Sequence, residues 1–335
     1  MTHNRKILLW LGAPVLAIFG FITSLLVLVT QPVYSFANSN KNLDVVNPND
    51  LRAHVEFLAD GKHFRNYQRL DDLNRVADYI HKQFDSTGGR VEEQKYKIDD
   101  QEFRNVIVRF GPLTGELIIV GAHYDSYDGT PGADDNASGV AGLIELAKLI
   151  GKEKPATTVE MVAYTLEEPP FFRGKEMGSK IHADRLNQSG TKVKAMICLE
   201  MIGYYTDSPN SQEFPLPAMS AIYPSTGNFI AIIGSMKDGD RALVSQVKKS
   251  MTVPEGQGVP VYSMNAPASV PGIDFSDHLN YWAYGWNAVM ISDTSFYRNK
   301  QYHDRGDTSD RLDYKRMAIV VGQIYTAIKD LMQNP

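Results

Sequence analysis

A few histidines and acids in this chain have types and spacings that could hold metal and move protons. They are His123-x-Asp125, Asp134-Asp135-Asn136, the adjacent pair Glu167-Glu168, Glu200 and His303. Histidine nitrogen with carboxylate oxygen and no thiolate suits zinc, with manganese or cobalt as alternatives. Two such ions bridged by a carboxylate would activate water and polarise a carbonyl, the chemistry of amide or ester hydrolysis. Hydrolysis also needs a base that is not committed to metal. Adjacent glutamates can divide that labour: one holds metal while the other takes a proton from water and hands it to a leaving amine.

Taken singly, each group has an ordinary explanation. A Glu-Glu pair on a loop is usually solvated, and Asp-Asp-Asn reads as a turn and helix cap. Glu200 could pair with a lysine, and His303 could lie on the surface. The case for a site rests on the elements that bring these groups together. Apolar runs over 105–110, 116–122, 158–166, 193–199, 229–234, 259–262 and 288–292 read as strands. Helices over 51–58, 70–84, 138–150, 175–186, 241–251 and 311–332 accompany them. In the second helix Leu73, Val76, Ala77, Ile80 and Phe84 recur at helical spacing, and Gly88-Gly89 follows it. Asn136 or Ser138 would cap the third. Leu117-Ile-Ile-Val120 has the continuous apolar character of a strand buried on both faces. The alternation implies an α/β fold, a three-layer sandwich with a mixed, largely parallel central sheet. Ligands in such folds sit outside the carboxyl ends of the strands. Four strands run into the groups of interest: 117–122 into His123, 158–166 into Glu167-Glu168, 193–199 into Glu200, and 288–292 into the loop that carries His303.

Composition narrows the function classes. With 43% hydrophobic and 22% charged residues over 335 positions, the chain can build a large core. The net charge of -5 offers no basic excess to neutralise phosphates, so nucleic acid is not an expected partner. Cys198, the single cysteine, cannot form an internal disulfide and reads as a buried inert thiol. Arg5 and Lys6 precede an uncharged stretch over 7–34. That stretch exceeds the roughly 20 residues that cross a bilayer and the 7–15 of a secretory core. Residues 1–36 are therefore expected to be a signal-anchor, or a signal peptide cleaved near Ser35-Phe36-Ala37. A polar linker over 37–49 and one folded domain over 50–335 follow. The positive flank would stay in the cytoplasm. The domain would then lie outside it, membrane-anchored through the N-terminal helix or secreted.

Four blocks in order, GAHYDS at 121–126, PGADDNASGVA at 131–141, LEE at 166–168 and HDRGDTSDRLD at 303–313, resemble the zinc aminopeptidases of the bacterial leucyl-aminopeptidase type. That superfamily also holds glutamate carboxypeptidases and glutaminyl cyclases. The resemblance covers residues 105–314. It implies an exopeptidase with two zinc ions acting on peptides with a free N-terminus. By position it implies that His123, Asp135, Glu168, Glu200 and His303 are metal ligands. Asp135 would be the bridging carboxylate, often followed by a cis peptide bond. Glu167 would be the general base and Asp125 the acid supporting His123. The sequence departs at Leu199-Glu200-Met201-Ile202-Gly203, where the common pattern has aspartate in place of Glu200. Ser276-Asp277-His278 matches a block on the active-site side. Tyr204, Tyr205, Phe171, Phe172, Phe275 and Phe296 are candidates to line a specificity pocket, and Asp307 and Asp310 to cap or orient the closing helix. Three other readings remain open at this stage: a one-zinc glutaminyl cyclase, an inactive membrane-tethered binding protein, and a carboxypeptidase for acidic peptides.

Overall fold

The computed structural model describes residues 3–33, 43–44 and 46–333, with side chains from residue 17 onward. Eight strands form one sheet: β1 (Arg90–Ile98), β2 (Gln101–Phe110), β3 (Leu117–His123), β4 (Thr158–Tyr164), β5 (Val193–Glu200), β6 (Ile230–Gly234), β7 (Val261–Asn265) and β8 (Ala288–Ser292). Their spatial order is β1-β2-β4-β3-β5-β8-β6-β7. The central four, β4-β3-β5-β8, run parallel. β1 and β2 pair antiparallel at one side, and β6 and β7, parallel to each other, run antiparallel to β8 at the other. The sheet is therefore mixed, with a parallel centre.

Helices cover both faces. α2 (Pro48–Leu58), α3 (Leu70–Asp85), α4 (Gly139–Gly151), α6 (Asp238–Met251) and α8 (Tyr314–Gln333) pack into the larger core. α5 (Gly178–Gln188) and α7 (Leu279–Trp282) pack into the smaller one. β3 feeds both: Ile118, Val120 and Ala122 point to the first core, Leu117 and Ile119 to the second. That is the period-two signature of a strand with no solvent face. Fully burying each such side chain contributes about 1.5–3 kcal/mol, so β3 is held in place from both sides.

Several boundaries differ from the sequence reading. β1 was not expected. Its alternation is half-exposed and carries charge, so it lacks a hydrophobic run, and it is recruited by pairing with β2. α5 begins at Gly178, not 175, because Asn105 fixes the approach: its amide donates to Gly178 O (2.8 Å) and accepts from Thr165 N (3.1 Å). α8 begins at Tyr314 after a 3-10 turn at Ser309–Arg311. Asn136, not Ser138, receives the Gly139 N–H at the start of α4 (3.1 Å).

α1 (His3–Thr30) precedes the domain. Among the described residues no helix is long and apolar enough to cross a membrane. The side chains over 7–16 and residue 34 of the stretch that was expected to do so, the cleavage point at 35–37 and most of the linker over 37–49 lie outside them. The end of α1 fastens to the edge of the sheet. Lys248 Nζ and Ser263 Oγ each donate to Thr30 O at 2.6 Å, and Asn265 Nδ2 donates to Leu28 O at 3.1 Å.

Candidate metal centre

Register brings the predicted groups to one edge. His123, the last residue of β3, pairs with Tyr164 at the end of β4, two residues before Leu166-Glu167-Glu168. Glu200, the last residue of β5, pairs with Ser292 at the end of β8. The chain leaves β4 and crosses β3 to reach β5, so the carboxyl ends flank a crevice.

His123 Nε2 lies 3.3 Å from Asp135 Oδ1, 3.4 Å from Glu200 Oε2 and 4.0 Å from Glu167 Oε2. His303 Nε2 lies 3.2 Å from Asp135 Oδ2 and 3.0 Å from Glu168 Oε2. Two groups of three result, His123/Asp135/Glu200 and Asp135/Glu168/His303, each with its donor atoms within 4.8 Å of one another. Asp135 belongs to both through opposite oxygens, as a bridging carboxylate must. Glu167 joins a third grouping with His123 and Glu168.

The donors fit metal ions on two further counts. Glu168 Oε1 and His303 Nε2 are buried without a hydrogen-bond partner, a costly state unless something binds them. The carboxyls also crowd one another. Burial pushes Glu168 up to about 7, with Asp135 adding to it and His303 opposing. Burial likewise raises Glu167, with Glu168 and Glu200 adding to it against the pull of His123. Asp135 goes the other way: burial would raise it, but the two histidines beside it overcome that and hold it well below the ordinary carboxylate range. Burial pushes Asp277 up to about 7 against the pull of His123. Positive charge placed among these groups would relieve each of the raised ones.

Supporting residues fix the donors. Asp125 sits behind His123, whose Nδ1 is 3.5 Å from its Oδ1. Its carboxylate also accepts the backbone N–H of Glu167 (3.1 Å) and Glu168 (3.0 Å). One positioning residue thus sets a ligand, the candidate base and a second ligand together. Ser276 Oγ donates to Glu200 Oε2 at 2.6 Å, which orients the longer acid found where aspartate is usual. His303 is stacked between Tyr127 (4.1 Å) and Tyr302 (3.8 Å).

The loop that carries Asp135 is gripped from two sides. Its Asp135–Asn136 peptide bond is cis, as the resemblance implied. Asp307 accepts from Asp134 N (3.1 Å) and Asp135 N (3.0 Å). This corrects the expectation that Asp307 caps the closing helix; at that helix Asp313, not Asp310, accepts the Arg316 N–H (3.0 Å). On the other side the buried guanidinium of Arg65 donates to Pro131 O and to Gly132 O (2.6 Å). Gly132 has φ +59°, and a Cβ there would lie 2.1 Å from Asp135 O, so only glycine fits. Asn136 ties the loop to the end of β5, donating to Leu199 O (2.8 Å) and accepting from Met201 N (3.0 Å). Sequence reasoning missed Arg65 and misplaced Asp307. Arg65 follows α2 in an irregular polar stretch with no periodicity to mark it, and only its burial gives it away.

Of the six aromatic candidates, Phe275 and Phe296 line a cleft beside Glu200, and Phe172 packs edge-on to Phe275. Phe171 packs on Phe103 and Tyr67, while Tyr204 and Tyr205 meet Arg311 and Arg298. Cys198 is buried, with Sγ 3.1 Å from Ser276 Oγ.

Comparison with known proteins bears on the family and the fold. The chain is 51% identical over 289 residues to YfbL, an uncharacterized protein of Escherichia coli (strain K12), covering 84% of this chain and 87% of that one. It is 25% identical over 283 residues to a probable leucine aminopeptidase of Trichophyton verrucosum, covering 80% and 67%. Its fold matches LapB of Legionella pneumophila with a TM-score of 0.66 at 21% identity, over 86% of this chain and 73% of that one. It also matches a Bacteroides thetaiotaomicron glutaminyl cyclase with a TM-score of 0.65 at 17% identity, over 88% and 100%. The family profile matches residues 105–327, the span that carries every candidate donor, and so the chain belongs to peptidase family M28.

Proposed function

We propose that this peptidase is an aminopeptidase that removes N-terminal residues from peptides with two zinc ions. The observation that carries the reading is Asp135 facing two donor groups through opposite oxygens. His123 and Glu200 would complete one ion's ligands, Glu168 and His303 the other's. Zinc held there supplies Lewis acidity toward water and the scissile carbonyl. The chain's own residues do the rest. Glu167, backed by Asp125 through its backbone N–H, takes the proton of the attacking water and returns it to the departing amine. Burial raises its carboxyl, which favours holding that proton between the two transfers. Glu200 would also meet the substrate's ammonium. A one-zinc cyclase would leave His123 without a metal role; its contacts with both Asp135 and Glu200 favour the peptidase reading.

The test is metal content together with hydrolysis of aminoacyl-anilides and cyclisation of glutaminyl peptides. Two zinc ions per chain and anilide hydrolysis, lost by a hundredfold or more in Glu167→Gln, are expected. One zinc with cyclisation, or full activity in Glu167→Gln, would refute the reading. We also read α1 as a membrane anchor that holds the domain outside the cytoplasm. Ile18, Phe19, Phe21 and Ile22 are exposed on it, each at least 49% accessible. Recovery of the full-length chain in the soluble fraction after cell breakage would count against that.

A further inference from the structure

An apolar cleft begins at the metal site and runs away from it across the sheet. Glu200 and Tyr302 stand at its near end, Met290 and Ala231 along its floor, and Tyr262 and Met264 at its far end. Those floor residues belong to β5, β8, β6 and β7, consecutive neighbours in the sheet. Three strand steps of about 4.8 Å make the cleft about 14 Å long. A leucine side chain would cross little more than one of those steps. The cleft encloses about 770 Å³ including its open mouth.

Its chemistry tells hydrocarbon from peptide. The outer wall is the segment over 213–223, which contributes Phe214, Met219 and Tyr223. Two polar residues of the lining are already engaged. Gln212 donates to Thr294 Oγ1 (2.8 Å) and accepts from Arg298 Nε (2.9 Å). Ser263 Oγ donates to Thr30 O, and Ser263 O accepts from Tyr223 OH (2.8 Å). A peptide backbone laid here would give up water and find few partners, at a cost of kilocalories per group left unpaired. A methylene chain meets no such cost. The setting of the far end agrees. Ser263 fastens both the wall and the end of α1, the helix whose residues 18–27 supply most of the large apolar side chains exposed among the described residues. The wall itself turns Leu216 and Ile222 outward, 52% and 43% exposed.

We propose that the substrates are peptides whose N-terminal residue carries a long unbranched hydrocarbon chain, laid along this cleft from Glu200 to Met264. The scissile amide is hydrolysed as above, so the inference rests on the aminopeptidase reading for its chemistry but not for its binding. The test is calorimetric titration of the zinc-loaded chain with straight alkylamines from butylamine to dodecylamine. Affinity is expected to rise about fourfold per methylene until the cleft is filled, and the same ladder should appear in kcat/KM for anilides of 2-aminoalkanoic acids. Met264→Trp blocks the far end, and is expected to remove the gain for the longest chains so that the ladder stops at a shorter one. Should that variant fold poorly, Ala231→Leu shortens the same path nearer the site. Affinity that is flat, that peaks at butylamine, or that is indifferent to both substitutions overturns the proposal. A binding ladder without hydrolysis of any anilide would instead sink the aminopeptidase reading, and with it the word substrate, while the cleft's selection of straight chains would stand.

Discussion

Replacing Arg65 by methionine should loosen the metal site without touching a ligand. The guanidinium is fully buried and grips the carbonyls of Pro131 and Gly132, with Leu58 O at 3.2 Å as a third partner. Burial pushes its pKa down to about 10, with Asp135 and Asp307 holding it up, so it is charged at neutral pH. Methionine fills most of the space and donates nothing. Each buried carbonyl left unpaired costs about 1–3 kcal/mol. Two well-made bonds are lost, and the side chain's own desolvation penalty is relieved, so a net destabilisation of about 2–4 kcal/mol is expected. The second consequence is local. Pro131 and Gly132 lead directly into Asp135, so a freed loop lets the bridging carboxylate wander, and zinc affinity should fall by about 10–100-fold, as when a supporting partner of a ligand is removed. Urea denaturation of the metal-free chain reads the first number; zinc competition against a chelator reads the second. Arg65→Lys, which keeps a charge but only one direction of donation, should fall between. If Arg65→Met lost less than about 1 kcal/mol and held zinc within twofold of the wild type, the grip described here would be wrong.

Ser276→Ala removes the hydroxyl that orients Glu200, and should weaken one of the two zinc ions selectively by about tenfold, read as a split in a two-site titration. Stability should fall in acid through Glu160, fully buried between His182 and Arg109. Burial alone would raise its carboxyl, but these partners hold it down to about 2. Its contribution is complete above the ordinary glutamate range near 4.5 and is lost as pH falls from there toward 2, on the order of 3 kcal/mol. Denaturation midpoints across that window should drop less steeply in Glu160→Gln than in the wild type; equal slopes would exclude this carboxyl as the cause. Chelation of zinc should lower Tm without unfolding the chain. Zinc present at 1,000 times its Kd adds about 4 kcal/mol, while both cores lie behind the sheet ends and keep their packing. Loss of far-UV dichroism on chelation would contradict that.

The parallel centre of the fold was legible because its strands are buried on both faces. Runs such as Leu117–Val120 and Ile197–Leu199 have no solvent side to dilute them, and they announced both themselves and the polar residues at their ends. β1 was not legible for the converse reason. Its side chains face partly to water, its residues are half charged, and what makes it a strand is the hydrogen-bonded register with β2, a long-range fact. The shift of α5 has the same origin, since Asn105, some seventy residues away in sequence, fixes where that helix can start.

In the site, the donors were legible and their supports were not. A ligand must be histidine or an acid, so its type alone shortens the search. A residue that holds a ligand's loop can be of any polar type and can come from anywhere that packing allows. Arg65 lies after α2, Asp307 before α8 and Ser276 before α7, yet all three act on donors at the ends of β3 and β5 or in the loop between. Asp307 illustrates the ambiguity most clearly. An aspartate a few residues before a helix is what a cap looks like in sequence, and the same carboxylate, turned toward the 131–138 loop, accepts two backbone N–H groups beside the bridging acid. Such placement is also what makes six crowded carboxyls tolerable. Asp125 and Asp307 each accept two backbone N–H groups, leaving Asp135, Glu167, Glu168 and Glu200 to face the crevice with only two histidines among them. Backbone donors reach the supporting acids, while burial leaves Glu167, Glu168 and Glu200 raised for want of positive charge, which is what a site built to receive cations requires.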